Sequence, residues 1–212
     1  SRLPTMDVNS QYSYTSPVQS KRMDLDDIRN LRRWHVDAAL RAKEAQFDLV
    51  YVYPGHHYLL HHFLSSHTND RTDEYGGSVE NRIRLLGEVT QRLVDVWGSD
   101  RVSVRLSPNG DSQGADDATP VETFTAAAKL LDNIGIAFLE LREPREQGTY
   151  GSTDVPPVSP DIRPVFKAPL VLNSDYFYDN ATEALASDAC DAISFGRTFM
   201  TNPDLPERFR TG

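Results

Sequence analysis

Between Asp24 and Phe195 helix-period segments alternate with short β-rich runs, and this alternation limits the possible architectures more than any other feature of the chain. From Asp24, residues Leu25, Ile28, Leu31, Trp34, Val36, Ala39, Leu40 and Ala42 recur mostly at steps of three and four. The acidic Asp24, Asp26 and Asp27 stand at the start, where a helix dipole favours negative charge. A β-rich run, Phe47 to Tyr53, follows. Ser78 reads as the N-cap of a second helix, with Val79, Ile83, Leu86, Val89, Leu93, Val96 and Trp97 on its apolar face and Gly98 at its end. The spacing then predicts a strand over Arg101 to Leu106, a helix over Pro120 to Asn133 and a strand over Ala137 to Leu141. A weaker helix, Ser159 to Phe166, precedes a strand at Pro169 to Leu172, and a last helix, Asp179 to Ser187, precedes a strand at Asp191 to Phe195. Strands that alternate with helices call for an α/β fold, a parallel sheet with helical crossovers. A barrel and an open doubly wound sheet both satisfy that pattern, and in both the chemistry belongs at the C-terminal ends of the strands.

Composition removes several classes of function. The formal charge of −9 disfavours long-range attraction to nucleic acid or to an anionic membrane. The single cysteine, Cys190, lies in an apolar stretch and reads as a small buried hydrophobe, so one chain holds no disulfide framework or Cys-rich metal cluster. No segment approaches the roughly 20 uninterrupted apolar residues of a membrane-spanning helix. A cytoplasmic, enzyme-like protein that acts on a small molecule is the expectation. Residues 1–22 are polar and lack a period, so they read as an irregular loop, with one domain over residues 23–212.

The predicted strand ends carry a short list of polar groups. After the first run come Tyr53, His56, His57, Tyr58, His61 and His62. Imidazole donates a hydrogen bond to a developing anion and titrates near neutrality, and a phenol delivers a proton, so the cluster suits protonation of carbon. Two other readings compete: a metal held by His57 and His61, four apart, or surface histidines without a role. Arg105 lies on the alternate face from Val102, Val104 and Leu106, where it meets either a ligand or a rim carboxylate such as Glu140. Asn173, Ser174 and Asp175 end one strand, and Gly196 and Arg197 end the next. Together they form a candidate phosphate cradle, although a helix-capping Gly and a solvated Arg have the same appearance.

The segments Tyr58 to Leu64, Asn69 to Arg82, Arg105 to Pro108, Glu143-Pro144, Phe195 to Arg197 and Asn202 to Leu205 together resemble the old yellow enzyme family of FMN oxidoreductases. The resemblance implies a (β/α)8 TIM barrel in which NAD(P)H reduces FMN and the flavin passes hydride to an activated alkene. It implies that Tyr53 and His56 bind the substrate oxygen, that Tyr58 donates the proton and that Arg105 meets the flavin. It sets Gly196 and Arg197 on the phosphate, with the backbone of Asn173, Ser174 and Asp175 beside them. The stretch Arg32 to Ala39 and the Tyr53/His56 pairing look more like the trimethylamine and histamine dehydrogenase branch, where an acidic residue joins the pair and Glu140 corresponds to it. The half after Arg101 looks like the ene-reductase branch.

Aligned on that family, Phe47 to Tyr53 is the fourth strand and Asp191 to Phe195 the eighth. The resemblance therefore implies a partial barrel with strands 4 to 8, and a piece of a longer protein. A second chain that supplies the remainder, or self-association into a homo-oligomer, would also cover the open edges. The function expected is an FMN-dependent NAD(P)H oxidoreductase of the ene-reductase type. An amine dehydrogenase-like flavoprotein and a non-catalytic barrel fragment are the alternatives.

Overall fold

The computed structural model describes residues 4–6, 12–14, 21–56, 58–110, 116–148 and 153–211. The chain divides into two units, Ser1–Trp34 and His35–Gly212. In the first, β1 (Pro4–Met6) pairs antiparallel with β2 (Tyr12–Tyr14), Thr5 opposite Ser13. This ribbon corrects the expectation of irregular chain over residues 1–22; three-residue strands are too short to show a period. Helix α1 (Leu25–Glu44) starts on two aspartates that cap each other. The Asp27 N–H donates to the Asp24 carboxylate at 2.8 Å and the Asp24 N–H donates to Asp27 at 3.0 Å, a capping box built from carboxylates.

The second unit is organised on one parallel sheet. Its strands are β3 (Val50–Val52), β4 (Val102–Leu106), β5 (Leu139–Arg142), β6 (Leu170–Asn173) and β7 (Ala192–Ile193). Their order in space is their order in sequence. A doubly wound sheet reverses direction at a switch point; this one does not, so of the two architectures left open the barrel type is the one present. The crossovers are α2 (Leu59–Leu64) with α3 (Val79–Trp97), then α4 (Pro120–Ile134), α5 (Ser159–Ile162) and α6 (Tyr178–Ala186). Helices α7 (Arg197–Thr201) and α8 (Leu205–Thr211) follow β7. No helix among the described residues is long and apolar enough to cross a membrane.

Strand periodicity sorts the side chains onto two faces. Val52, Val104, Leu139 and Leu170 are register partners in sequence across the sheet, as are Leu106, Leu141, Leu172 and Ile193. All but Ile193 are buried, together with Leu86 and Val89 of α3 and Phe124, Ala127 and Leu131 of α4. Each buried Leu or Phe contributes roughly 2 kcal/mol, so this helix-covered face drives folding. The opposite face carries Tyr51, Ser103, Arg105, Glu140, Arg142 and Asn173.

Three elements shorten relative to expectation. Helix α5 stops at Ile162 rather than Phe166, because Pro164 removes a donor and clashes with the preceding turn. Strands β3 and β7 each pair on one side only among the described residues, and both are shorter than their β-rich runs. Helix α2 had no expected counterpart, since its histidines hide the apolar period.

Arg82 fastens the crossovers together. From α3, Nε donates to the Leu64 carbonyl at 2.9 Å, Nη1 to the Gly77 carbonyl at 2.9 Å and Nη2 to the Thr123 hydroxyl at 2.7 Å. Asp117 lies 3.7 Å away as counter-charge. One buried side chain thus joins the end of α2, the loop before α3 and the start of α4. Arg82→Met is expected to destabilise the protein by roughly 3 kcal/mol or more, because buried acceptors and a carboxylate lose their partner. Arg84→Met, at an exposed position one helical step away, should cost less than about 1 kcal/mol. Urea unfolding of the two variants measures the difference.

Candidate functional site

The polar face of the sheet is closed by a hydrogen-bonded ring that draws on all five strands. Arg105 on β4 and Glu140 on β5 are register partners, and Nη1 meets Oε1 at 2.8 Å. Arg105 Nη2 donates to Asn173 Oδ1 on β6 at 2.8 Å. Asn173 Nδ2 donates to the carbonyl and hydroxyl oxygens of Ser194, just past β7, both at 2.9 Å. The Ser194 hydroxyl donates to Glu140 Oε1 at 2.8 Å, which completes the ring. From β3, the Tyr51 hydroxyl donates to Glu140 Oε2, so both oxygens of this buried carboxylate are occupied. Burial and the neighbouring carboxylate hold the Tyr51 phenol well above its ordinary value, and it stays a donor.

The Tyr53 ring lies over the Arg105 guanidinium, 5.1 Å from its carbon, a cation–π arrangement. The Tyr53 hydroxyl and His56 Nδ1 are 2.6 Å apart. The Tyr58 ring packs edge-on against Tyr53, at 5.4 Å between centroids, and Tyr58 is half-exposed. Residue 55 has to be glycine: a Cβ there would come within 2.6 Å of both the Ser107 hydroxyl and the Tyr53 ring. The turn then places His56 at a φ of 47°, an unusual conformation for a side-chain-bearing residue. Burial, then the positive charges of Arg142 and Arg105, push the His56 imidazole down to about 4. It is therefore neutral at physiological pH. Burial also raises the Tyr53 phenol, and Arg105 partly opposes that shift.

Beyond Asn173 the backbone takes a path that usually belongs to glycine. Ser174 has φ 98° and Asp175 has φ 51°. The Asp175 carboxylate pairs with Arg197 at 3.0 Å and is largely buried. Gly196 precedes Arg197, and a Cβ added there would meet nothing within 4 Å. His56, Arg105, Asn173, Ser174, Asp175, Gly196 and Arg197 all line one cavity of about 400 Å³. Tyr53 and Tyr58 line a second cavity, about 520 Å³, bounded by Leu59 and by Ala38, Ala39 and Ala42 of α1. The Tyr53–His56 hydrogen bond joins the two groups.

Glu140, the rim carboxylate expected as one of the two possible partners of Arg105, sits in the ring with that guanidinium. His61 is fully buried, its ring 6.1 Å from that of Phe124. His57 lies outside the described residues. Among the described residues no group of three or more His, Cys, Asp or Glu is arranged to hold a metal. Sequence reasoning missed Tyr51, Arg142 and Ser194. The signal was available: each lies two residues from a position on the inner face, and period two puts them on that face. Arg142 is buried and lines the smaller cavity with His56.

The sequence and fold have close counterparts among known proteins. Residues 4–212 match the NADH:flavin oxidoreductase / NADH oxidase family. The chain is 35% identical over 211 residues to 12-oxophytodienoate reductase 7 of Oryza sativa subsp. japonica, covering 93% of this chain and 54% of the rice protein. Among solved structures, the old yellow enzyme homologue from Zymomonas mobilis is 48% identical with a TM-score of 0.91, over 93% of this chain and 56% of that one. Morphinone reductase is 35% identical with a TM-score of 0.90, over 99% and 56%. The chain thus spans a little over half the length of these relatives, and its five strands form part of their TIM barrel. It belongs to the NADH:flavin oxidoreductase / NADH oxidase family, the family of the old yellow enzymes.

Proposed function

We propose that this chain is the FMN-holding and substrate-protonating part of an NAD(P)H-dependent oxidoreductase that reduces activated alkenes. The observation that carries this reading is the Tyr53–His56 pair at 2.6 Å with Tyr58 packed against it, next to a guanidinium and an open glycine. The residues fit FMN. Arg105 Nε is buried without a hydrogen-bond partner among the described residues, and space is open beside Gly196. Arg105 would hold the flavin ring. Gly196, Arg197 and the backbone N–H groups of Asn173, Ser174 and Asp175 would hold the phosphate.

When bound, FMN supplies a hydride that it takes from NAD(P)H. The protein's share is to bind, orient and protonate. Tyr53 and neutral His56 share one proton between Oη and Nδ1, and the remaining proton of the pair is offered to the substrate's carbonyl or nitro oxygen. A donor fixed in advance stabilises negative charge as it develops on that oxygen. Tyr58, half-exposed and beside the pair, delivers the proton to carbon. Glu140 is engaged by Tyr51, Arg105 and Ser194, which leaves the acid-assisted amine dehydrogenase reading without its third member. The free, buried Cys190, whose burial raises its thiol, supports a cytoplasmic setting as part of this proposal.

The direct test is reconstitution with FMN followed by anaerobic mixing with NADH or NADPH and then an enone. Flavin bleaching by the nicotinamide and recolouring by the enone are the expected results; failure of the purified protein to take up FMN would sink the proposal. Tyr58→Phe should slow enone reduction by roughly 10²- to 10⁴-fold and leave reduction of the flavin by NAD(P)H unchanged, as stopped-flow separation of the two half-reactions would reveal. His56 contributes a pH dependence of defined sign. With its folded value near 4 and the unfolded value near 6.5, the unfolded chain binds the extra proton first, so stability falls as pH drops from about 6.5 to about 4. His56→Asn is expected to flatten that part of the stability–pH curve, measured by denaturant unfolding at successive pH values.

A further inference from the structure

The structure assigns to Glu140 a role at Arg105: it is the counter-charge and positioning residue that sets how much positive potential the guanidinium presents to a bound flavin. This inference rests on the flavin reading above. The sheet register places Glu140 beside Arg105, and their closest atoms are 2.8 Å apart. Glu140 is buried and three strands supply its partners: Tyr51 on one oxygen, Arg105 and Ser194 on the other. Both of its oxygens are therefore engaged by groups of the sheet itself. Its position is also fixed, since Ser194 is itself held by Asn173, which in turn accepts from Arg105. A carboxylate locked in this way cannot swing aside when a ligand arrives.

The consequence is electrostatic. A lone guanidinium stabilises whichever redox state of a neighbouring ring carries more negative charge, and a flavin gains negative charge at its pyrimidine edge on two-electron reduction. Paired at contact distance with a carboxylate, the same guanidinium presents a dipole, whose field falls off faster than that of a charge. Glu140 therefore lowers the midpoint potential of the flavin below the value an uncompensated Arg105 would give. The buried Arg142, also on β5, lines the same cavity as Arg105 and Arg197, so removal of Glu140 takes a negative charge away from the surroundings of three guanidinium groups. The ring over Arg105 is Tyr53, so the pair also sets the surroundings of the substrate-binding phenol.

The test is spectroelectrochemical titration of the FMN-loaded protein. Glu140→Gln keeps the shape of the side chain and removes its charge. It should shift the two-electron equilibrium about tenfold toward the reduced state, a potential more positive by about 30 mV. Glu140→Asp, which keeps the charge, should stay close to wild type. If Glu140→Gln does not fold, Tyr51→Phe and Ser194→Ala provide the measurement. Each strips one hydrogen bond from the carboxylate, concentrates its charge and should move the potential to more negative values. A purely structural Glu140 would lower melting temperatures in all these variants with the potential unmoved, and that result overturns the inference while FMN binding stands. No FMN uptake by the wild-type protein overturns the flavin reading and this inference together.

Discussion

Much of this fold is organised around one ion pair, Arg105 with Glu140, on the face of the sheet that the helices do not cover. Charges placed on the inner face of a sheet lose much of their hydration, and they persist only where partners replace the water. Here the replacement is complete for the carboxylate and involves one residue from each strand or its immediate end: Tyr51, Arg105, Glu140, Asn173 and Ser194. The network couples register to chemistry. A slip of one residue in β4 or β5 would turn Arg105 or Glu140 toward the apolar helices and strand its partner. The leucine and valine face supplies most of the driving force for folding, and the polar ring rejects misregistered alternatives.

The fold was legible because its signals are local and repeated. Two crossover helices begin or end on a residue whose role is visible in isolation: Ser78, whose side chain accepts from the Asn81 N–H, and Gly135, in the left-handed conformation after α4. Edges were less legible. Strand β3 begins at Val50 rather than Phe47, and β7 spans two residues, because the length of a strand depends on what pairs beside it and not on its own propensity. The site was legible in part. Arg105 could be turned inward from strand alternation alone, whereas the partner of Asp175 could not be read, since a 22-residue separation in sequence carries no sign of the ion pair with Arg197.

Family membership and local geometry support different parts of the account. Matches across residues 4–212 establish ancestry. They do not explain why a tyrosine stands at Tyr53 or a glutamate at Glu140, and those positions are explained by contact: the phenol caps the guanidinium, and the carboxylate balances it. The relatives are nearly twice as long as this chain. Tyr51 and Tyr58 are among its exposed large aromatics, and Phe47, Leu49 and Leu59 lie exposed along the same edge. The cavity of about 520 Å³ lies along this edge and is lined by residues of α1, β3, α2 and α3.

The loop after β6 is held in a strained backbone conformation. Ser174 and Asp175 hold positive φ angles without being glycine, at a strain on the order of 1–3 kcal/mol each. One of the two side chains, that of Asp175, is an anion already seated on Arg197. The carboxylate is tethered to the same chain as the guanidinium, so its effective concentration there is high and dilution cannot lower it. Any external anion that approached Arg197 would have to exchange with this internal carboxylate.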